Sequence, residues 1–195
     1  AHIGWHSPGS RVASIVRTSH PDISQYIATL ESGDYSAVLF DASLIQIAYV
    51  TSDGRVDKHR LCYFPCPYDI DREILLLGEP LADVCNLYRR SEAVLRSPIR
   101  FDFDPENAKP GHSASHMTLN GVGCRVPCAA PLHVMRFLDF IFKHFYPELY
   151  DAHEDFFLAA RSKHVGEACI DEEDKLHVHL NWDVYATASG GTIGR

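Results

Sequence analysis

The sequence predicts an α+β fold built on a largely antiparallel sheet, with helices packed on one face of the sheet and a polar opposite face. Three observations point there. Strand-like runs flank an Asp-Gly pair at Asp53 and Gly54 and an Asn-Gly pair at Asn120 and Gly121. Both pairs favour the tight turns of β-hairpins, whose strands are antiparallel. Several strand runs alternate apolar and polar side chains, as strands with one buried face do. Finally, the order of elements is helix, hairpin, helix, second hairpin, helices and strand, which fits the α+β class.

Taken in order, residues 1–18 are turn-rich and read as an irregular arm. HPDISQYIATLESG reads as a helix: Pro21 suits the first turn, Asp22 the positive end, and Gly33 stops it. DASLIQIAYV reads as a strand, joined through TSDGR to VDKHRLCYFPCPYD, with Pro65 and Pro67 ending that second strand. EPLADVCNLYRRSEAVLRS has the apolar spacing of an amphipathic helix from Leu81 to Leu95, closed by Pro98. Residues 99–104 alternate as a strand; SHMTL and GCRVP then form the second hairpin. APLHVMRFLDFIFKHFYPELY carries a wide apolar face (Leu132, Phe137, Leu138, Ile141, Phe145) and meets Pro147 at its end. AHEDFFLAARSKH is a weaker helix, EEDKLHVHLNWDVY a final alternating strand, and residues 186–195 a flexible tail.

At 195 residues, the chain (1–195) is expected to be one domain with a core large enough to need no disulfide or metal staples. A net charge of −8 argues against a non-specific nucleic-acid binder while leaving room for a local basic groove. No apolar run approaches the length of a membrane span, and no basic-then-apolar leader opens the sequence, so a cytoplasmic location is expected. The six cysteines are expected to be reduced thiols. CYFPC and CRVPC share a spacing, and a zinc site on Cys62, Cys66, Cys124 and Cys128 is the sharper alternative. Structural zinc knuckles usually space their ligands by two residues, so buried small side chains are the favoured reading of these four.

Alternation gives residues 99–104 one face with Arg100, Asp102 and Asp104 and another with Ile99, Phe101 and Phe103. The same rule groups His116, Thr118 and Asn120, and, near the C-terminus, His177, His179 and Asn181. If the three strands are neighbours, their polar faces coincide. A plain solvent face is usually filled with Lys, Glu, Thr and Gln. This one holds no Lys and no Glu, and its residues are ones that bind ligands, move protons and orient hydrogen bonds.

Two chemistries fit that face. In one, His177 and His179, with Asp102 or Asp104 and His116, hold a divalent metal. In the other, imidazoles act as general base and acid on a phosphodiester, Arg100 stabilises the developing phosphorane charge, and Asp102 orients an imidazole. The metal-free version is favoured, because Arg100 repels a cation. The candidate catalytic set is Arg100, Asp102, His116, His177 and His179; Asp104, His112, Thr118, Asn120 and Asn181 are candidate ligand-binding residues. His59 and Arg60 could extend the polar surface, but an exposed pair is the favoured reading. The absence of a Walker-type loop, a strand-linked Gly-x-Gly-x-x-Gly and a Gly-x-Ser-x-Gly elbow disfavours nucleotide-driven and classical serine-hydrolase chemistry.

The segments SLIQIAYVTSDGRVDKHRLCYFPCP and IRFDFDPENAKPGHSASHMTLNGVGCRVPCAAPLHVMRFLDFIFKHFYP resemble the recurrent blocks of an uncharacterised prokaryotic domain-of-unknown-function family. The likeness covers residues 44–147 and is densest over residues 100–125. It implies a bacterial or archaeal cytoplasmic protein and transfers no catalytic roles. More loosely, an Arg-x-Asp strand followed by clustered histidines is similar to small nuclease-type toxins. The functional expectation is a protein that binds a nucleic acid or nucleotide, with phosphodiesterase or nuclease activity. The alternative is a non-catalytic subunit or adaptor of a larger prokaryotic assembly, such as a defence-related one, with a protein partner or a second copy of itself.

Overall fold

Strand pairing organises the computed structural model, which describes residues 2–4, 23–89, 93–119, 124–160 and 162–182. The strands among these residues are β1 (His2–Gly4), β2 (Ala37–Val38), β3 (Leu44–Ser52), β4 (Arg55–Phe64), β5 (Ile99–Phe103), β6 (Ser115–Leu119) and β7 (Cys124–Pro127). They form one antiparallel sheet in the order β1-β3-β4-β5-β6-β7, with β2 also paired to β3. The helices pack against it, so the fold is α+β.

The β3–β4 hairpin turns where the sequence places it. Asp53 (φ 48°) and Gly54 (φ 77°) both adopt left-handed backbone, the conformation a type I′ turn demands. Val50 faces Lys58 while Thr51 faces Val56, which leaves Asp57 as the extra residue of a bulge. β6 and β7 form the second hairpin; its Asn-Gly pair lies outside the described residues.

The first helix, α1 (Ile23–Ser32), ends as its glycine predicts. Gly33 sits at φ 70°, and the amides of Gly33 and Asp34 donate to the carbonyls of Leu30 and Thr29, a Schellman cap. A short helix, α2 (Arg72–Leu76), is missing from the sequence reading; Asp71 caps it by accepting from Glu73 N–H at 2.8 Å. The helix expected over residues 79–97 is shorter, α3 (Leu81–Tyr88). Residues 93–98 have no regular structure; there Val94 N–H donates to Pro67 O and Arg96 Nη1 to Cys66 O, each at 2.8 Å. The apolar helix is α4 (Val134–Phe145), capped by His133 Nδ1 accepting from Met135 N–H at 3.0 Å. Pro147 then opens α5 (Pro147–Ala152), and α6 (Glu154–Ala160) follows. Among the described residues, no helix is long and apolar enough to cross a membrane.

Three expectations need correction. The helices are divided between the faces of the sheet. Phe137 and Ile141 of α4 cover Leu61 and Phe101 on one side, while Tyr26 of α1 and Cys85 of α3 cover Leu44 and Phe64 on the other. The arm is not wholly irregular, since His2–Gly4 pairs with β3; residues 5–18 and the 186–195 tail lie outside the described residues. Over its described residues, 172–182, the final alternating strand is instead a 3-10 turn, Asp174–Leu176, followed by a segment with a parallel bridge of Leu180 to Cys128; residues 183–185 lie outside the described residues. Leu176 and Val178, expected to face inward, are 82% and 84% exposed.

Candidate functional site

Register assembles the polar face. Arg60 on β4 lies opposite Asp102 on β5, which lies opposite His116 on β6. One rank along, Cys62, Arg100, Thr118 and Arg125 stand in a row across β4, β5, β6 and β7. Alternation places both ranks on the side of the sheet away from α4. The expected third strand of this face, the His177–Asn181 region, is thus replaced by β4 and β7.

Asp102 is the hub. Its Oδ1 accepts from Arg60 Nε at 2.9 Å and its Oδ2 from Arg100 Nε at 2.5 Å. This is no wet surface: Arg100, Asp102, His116 and Thr118 are 8, 6, 3 and 2% exposed. Burial pushes the Asp102 carboxyl up, but the Arg100 and Arg60 guanidiniums outweigh it and hold the group below the usual carboxylate range. Asp102 is an anion shared by two cations.

His116 completes the rank. Its Nδ1–H donates to Ser113 O at 2.9 Å, so the neutral ring carries its lone pair on Nε2, 3.7 Å from Asp102 Oδ2. Burial lowers its pKa; Asp102 and the Ser113 bond oppose that, His112 and Arg125 reinforce it, and the balance is a shift down. The imidazole is therefore neutral at neutral pH, beside a carboxylate that would stabilise its protonated form.

His112 stands over this rank, its ring centroid 4.7 Å from that of His116. It is placed by a Lys109-Pro110-Gly111-His112 turn, closed by backbone bonds between Lys109 and His112, in which Gly111 supplies φ 73° after Pro110. Burial first, then Arg125 and Lys109, lowers the His112 pKa. Thr118 Oγ1 and Arg125 Nε are buried and, among the described residues, have no hydrogen-bond partner.

The remaining candidates are placed elsewhere. Asp104 pairs with Lys58 at 3.1 Å and accepts from Asn107 Nδ2 at 2.7 Å. Burial raises its pKa, and these two partners more than reverse that. His177 and Asn181 are exposed, and half-buried His179 donates from Nδ1 to His177 O at 2.9 Å. Their segment runs beside the end of β7, where Leu180 pairs with Pro127 and Ala129. Asn120 lies outside the described residues. The structure thus brings Arg100, Asp102, His116 and Thr118 together with His112 alongside.

Arg125 is the residue that sequence reasoning missed, and Arg60, for which the sequence favours an exposed position, instead extends the polar face. His59 is corrected as well: it lies on the opposite face, 4% exposed, where Nε2 accepts from Leu132 N–H at 2.8 Å. Burial drops its pKa to about 4, Asp102 acting against that drop. The signal that could have separated His59 from Arg60 is the parity of β4 against β5.

The donors suit an anion better than a cation. Asp102 is committed to two guanidiniums, and among the described residues no three His, Cys, Asp or Glu side chains converge on a metal position. Cys62 and Cys66 lie in the layer under α1, Cys128 lies in the layer under α4, and Cys124 is exposed, so the four thiols of the zinc alternative do not meet. Burial pushes the Cys62 and Cys128 thiols up to about 12, whereas a hydrogen bond with Cys85 lowers Cys66 to about 7.

Together the fold and site define an α+β sheet protein with a buried Arg-Asp-His face. The chain belongs to the family described as Uncharacterized conserved protein (DUF2290), whose model matches residues 2–182. No match was found among the curated proteins or the solved structures.

Proposed function

We propose that the protein binds a phosphate-bearing ligand, a nucleotide or a nucleic-acid strand, on the β4–β7 polar face, and that it cleaves a phosphodiester there in the cytoplasm. The observation that carries this reading is the Thr118–Arg125 pair. The two residues face each other in register beside Arg100, and each keeps a buried polar atom without a hydrogen bond among the described residues. An unsatisfied buried group costs about 1–3 kcal/mol, so two such atoms on one basic face mark a place that a ligand oxygen would complete. On the two ranks Arg60, Arg100 and Arg125 outnumber the single carboxylate of Asp102, which favours an anion.

His116 supplies the proton transfer in this reading. Its Nε2 takes the proton of an attacking water as the water oxygen bonds to phosphorus; the imidazolium, stabilised by Asp102, then returns that proton to the departing ester oxygen. Arg125 and Arg100 offset the charge that gathers on the phosphorane oxygens. The test is hydrolysis of bis(p-nitrophenyl) phosphate and of single-stranded oligonucleotides, with and without added divalent metal. Loss of activity by about 100-fold in His116→Ala at unchanged fold supports the assignment. Equal activity in wild type and His116→Ala removes the catalytic half of it.

A second reading, a non-catalytic subunit, is favoured by one observation: Leu76, Leu77, Leu87 and Leu95 are 75, 74, 74 and 96% exposed. Native mass measurement after purification at endogenous level distinguishes the two, since a subunit is recovered in a complex of fixed stoichiometry.

A further inference from the structure

A second candidate binding site lies where β4 ends. Five rings, those of Tyr63, Tyr68, Tyr88, Phe145 and Tyr146, line a cleft of about 710 Å³. That size suits a small organic molecule. Nothing in the phosphate reading uses it, and its chemistry is opposite in sign.

Among the described residues, three carboxylates, Asp41, Asp69 and Asp71, share the lining with one guanidinium, Arg96. Arg96 is spent on Asp69 and on Cys66 O. Asp41 and Asp71 therefore leave the cleft negative. Both are fixed: Asp41 accepts from Ser43 N–H at 3.0 Å, from Ser43 Oγ at 3.1 Å and from Tyr146 Oη at 2.8 Å, and Asp71 caps α2 through Glu73 N–H. The Tyr146 hydroxyl in turn lies 3.0 Å from that of Tyr63, and Tyr88 Oη accepts from Asp71 N–H at 3.2 Å. Two hydrogen-bonded sets, Asp41 with Tyr146 and Tyr63, and Asp71 with Tyr88, thus hold two of the carboxylates and three of the rings. Burial raises the pKa of Tyr63 and of Tyr146, so both hydroxyls stay protonated.

We propose that this cleft binds a small organic cation, a protonated amine or guanidinium carried on an apolar or aromatic body. Carboxylates that outnumber the cations of the described lining attract positive charge, and aromatic faces add cation–π attraction to an ammonium. An anionic ligand meets the carboxylates of Asp41 and Asp71 here, and a neutral one forgoes the main attraction.

Calorimetric titration of the full chain with three probes of matched shape tests the proposal: phenethylammonium, 2-phenylethanol and 3-phenylpropionate. Phenethylammonium is expected to bind saturably, about tenfold more tightly than 2-phenylethanol, with 3-phenylpropionate weaker again. Asp71→Asn keeps the helix cap, because Asn caps as well as Asp, and removes only the charge. That variant and Phe145→Leu are each expected to weaken phenethylammonium by about three- to tenfold at unchanged Tm. Equal affinity for all three probes, no saturable binding of phenethylammonium, or unchanged affinity in both variants overturns the proposal.

Discussion

On one side of β5, Phe101 meets Phe137 and Phe140 edge-on, with ring centroids 6.1 and 5.6 Å apart. On the other side the next residue, Asp102, holds two guanidiniums. Both sides are buried, yet they are stabilised differently. The apolar side gains from area removed from water and from close packing, and it needs no partner of defined chemistry. The polar side must satisfy each charge and hydrogen bond individually, and it leaves Thr118 Oγ1 and Arg125 Nε unsatisfied among the described residues. The two histidines repeat the contrast. Burial keeps both neutral, but His59 uses its Nε2 to hold Leu132 N–H, whereas His116 turns its Nε2 toward a carboxylate. The first is structural. The second is the proton carrier of the proposed reaction.

The largest effect expected from breaking this contrast is on the apolar side. Phe137 is fully buried between α4 and the sheet, so Phe137→Ala should cost about 3–5 kcal/mol in urea unfolding, with no change specific to phosphate ligands beyond the lost stability. Asp102→Ala comes next. It removes the carboxylate that two guanidiniums share and should cost about 3 kcal/mol, the scale of breaking a buried ion pair. A loss under about 0.5 kcal/mol would mean that the face is solvated and the contrast is false.

The pH dependence sharpens the histidine comparison. His59 has a folded pKa of about 4 against an unfolded value near 6.5, so the unfolded chain binds more protons between those limits. Stability is therefore full above about pH 6.5 and falls as pH drops toward 4, by about 3 kcal/mol from this group. Urea titrations across that range should show the slope in wild type and a clearly reduced slope in His59→Gln.

Legibility followed how locally each feature is encoded. The α4 helix is readable because its apolar residues recur at helical spacing and Pro147 stops it. The first hairpin is readable because Asp53 and Gly54 are residues that tolerate positive φ. Arg100, Asp102, His116 and Thr118 could be placed on polar faces because a short alternating strand reveals its own two faces. Arg125 could not be assigned to that site and Arg60 only as a less favoured reading, since their membership depends on which strands pair and in what register. The segment at 177–181 misled for the same reason. Its alternation is genuine in the sequence, but a lone bridge to Cys128 does not make it a ladder strand, and Val178 faces solvent.

The smallest expected change in stability accompanies the most direct test. Arg125 is half-buried at the end of the rank, and Arg125→Ala should alter unfolding by only about 0.5 kcal/mol. Fluorescence anisotropy of a labelled single-stranded oligonucleotide, titrated with wild type and with Arg125→Ala over a range of salt, measures whether this face binds phosphate. The expected result is an affinity that falls with salt and weakens about tenfold or more in the variant, with a shallower salt slope. Indistinguishable binding curves for the two proteins, or no binding by wild type at low salt, would contradict the account.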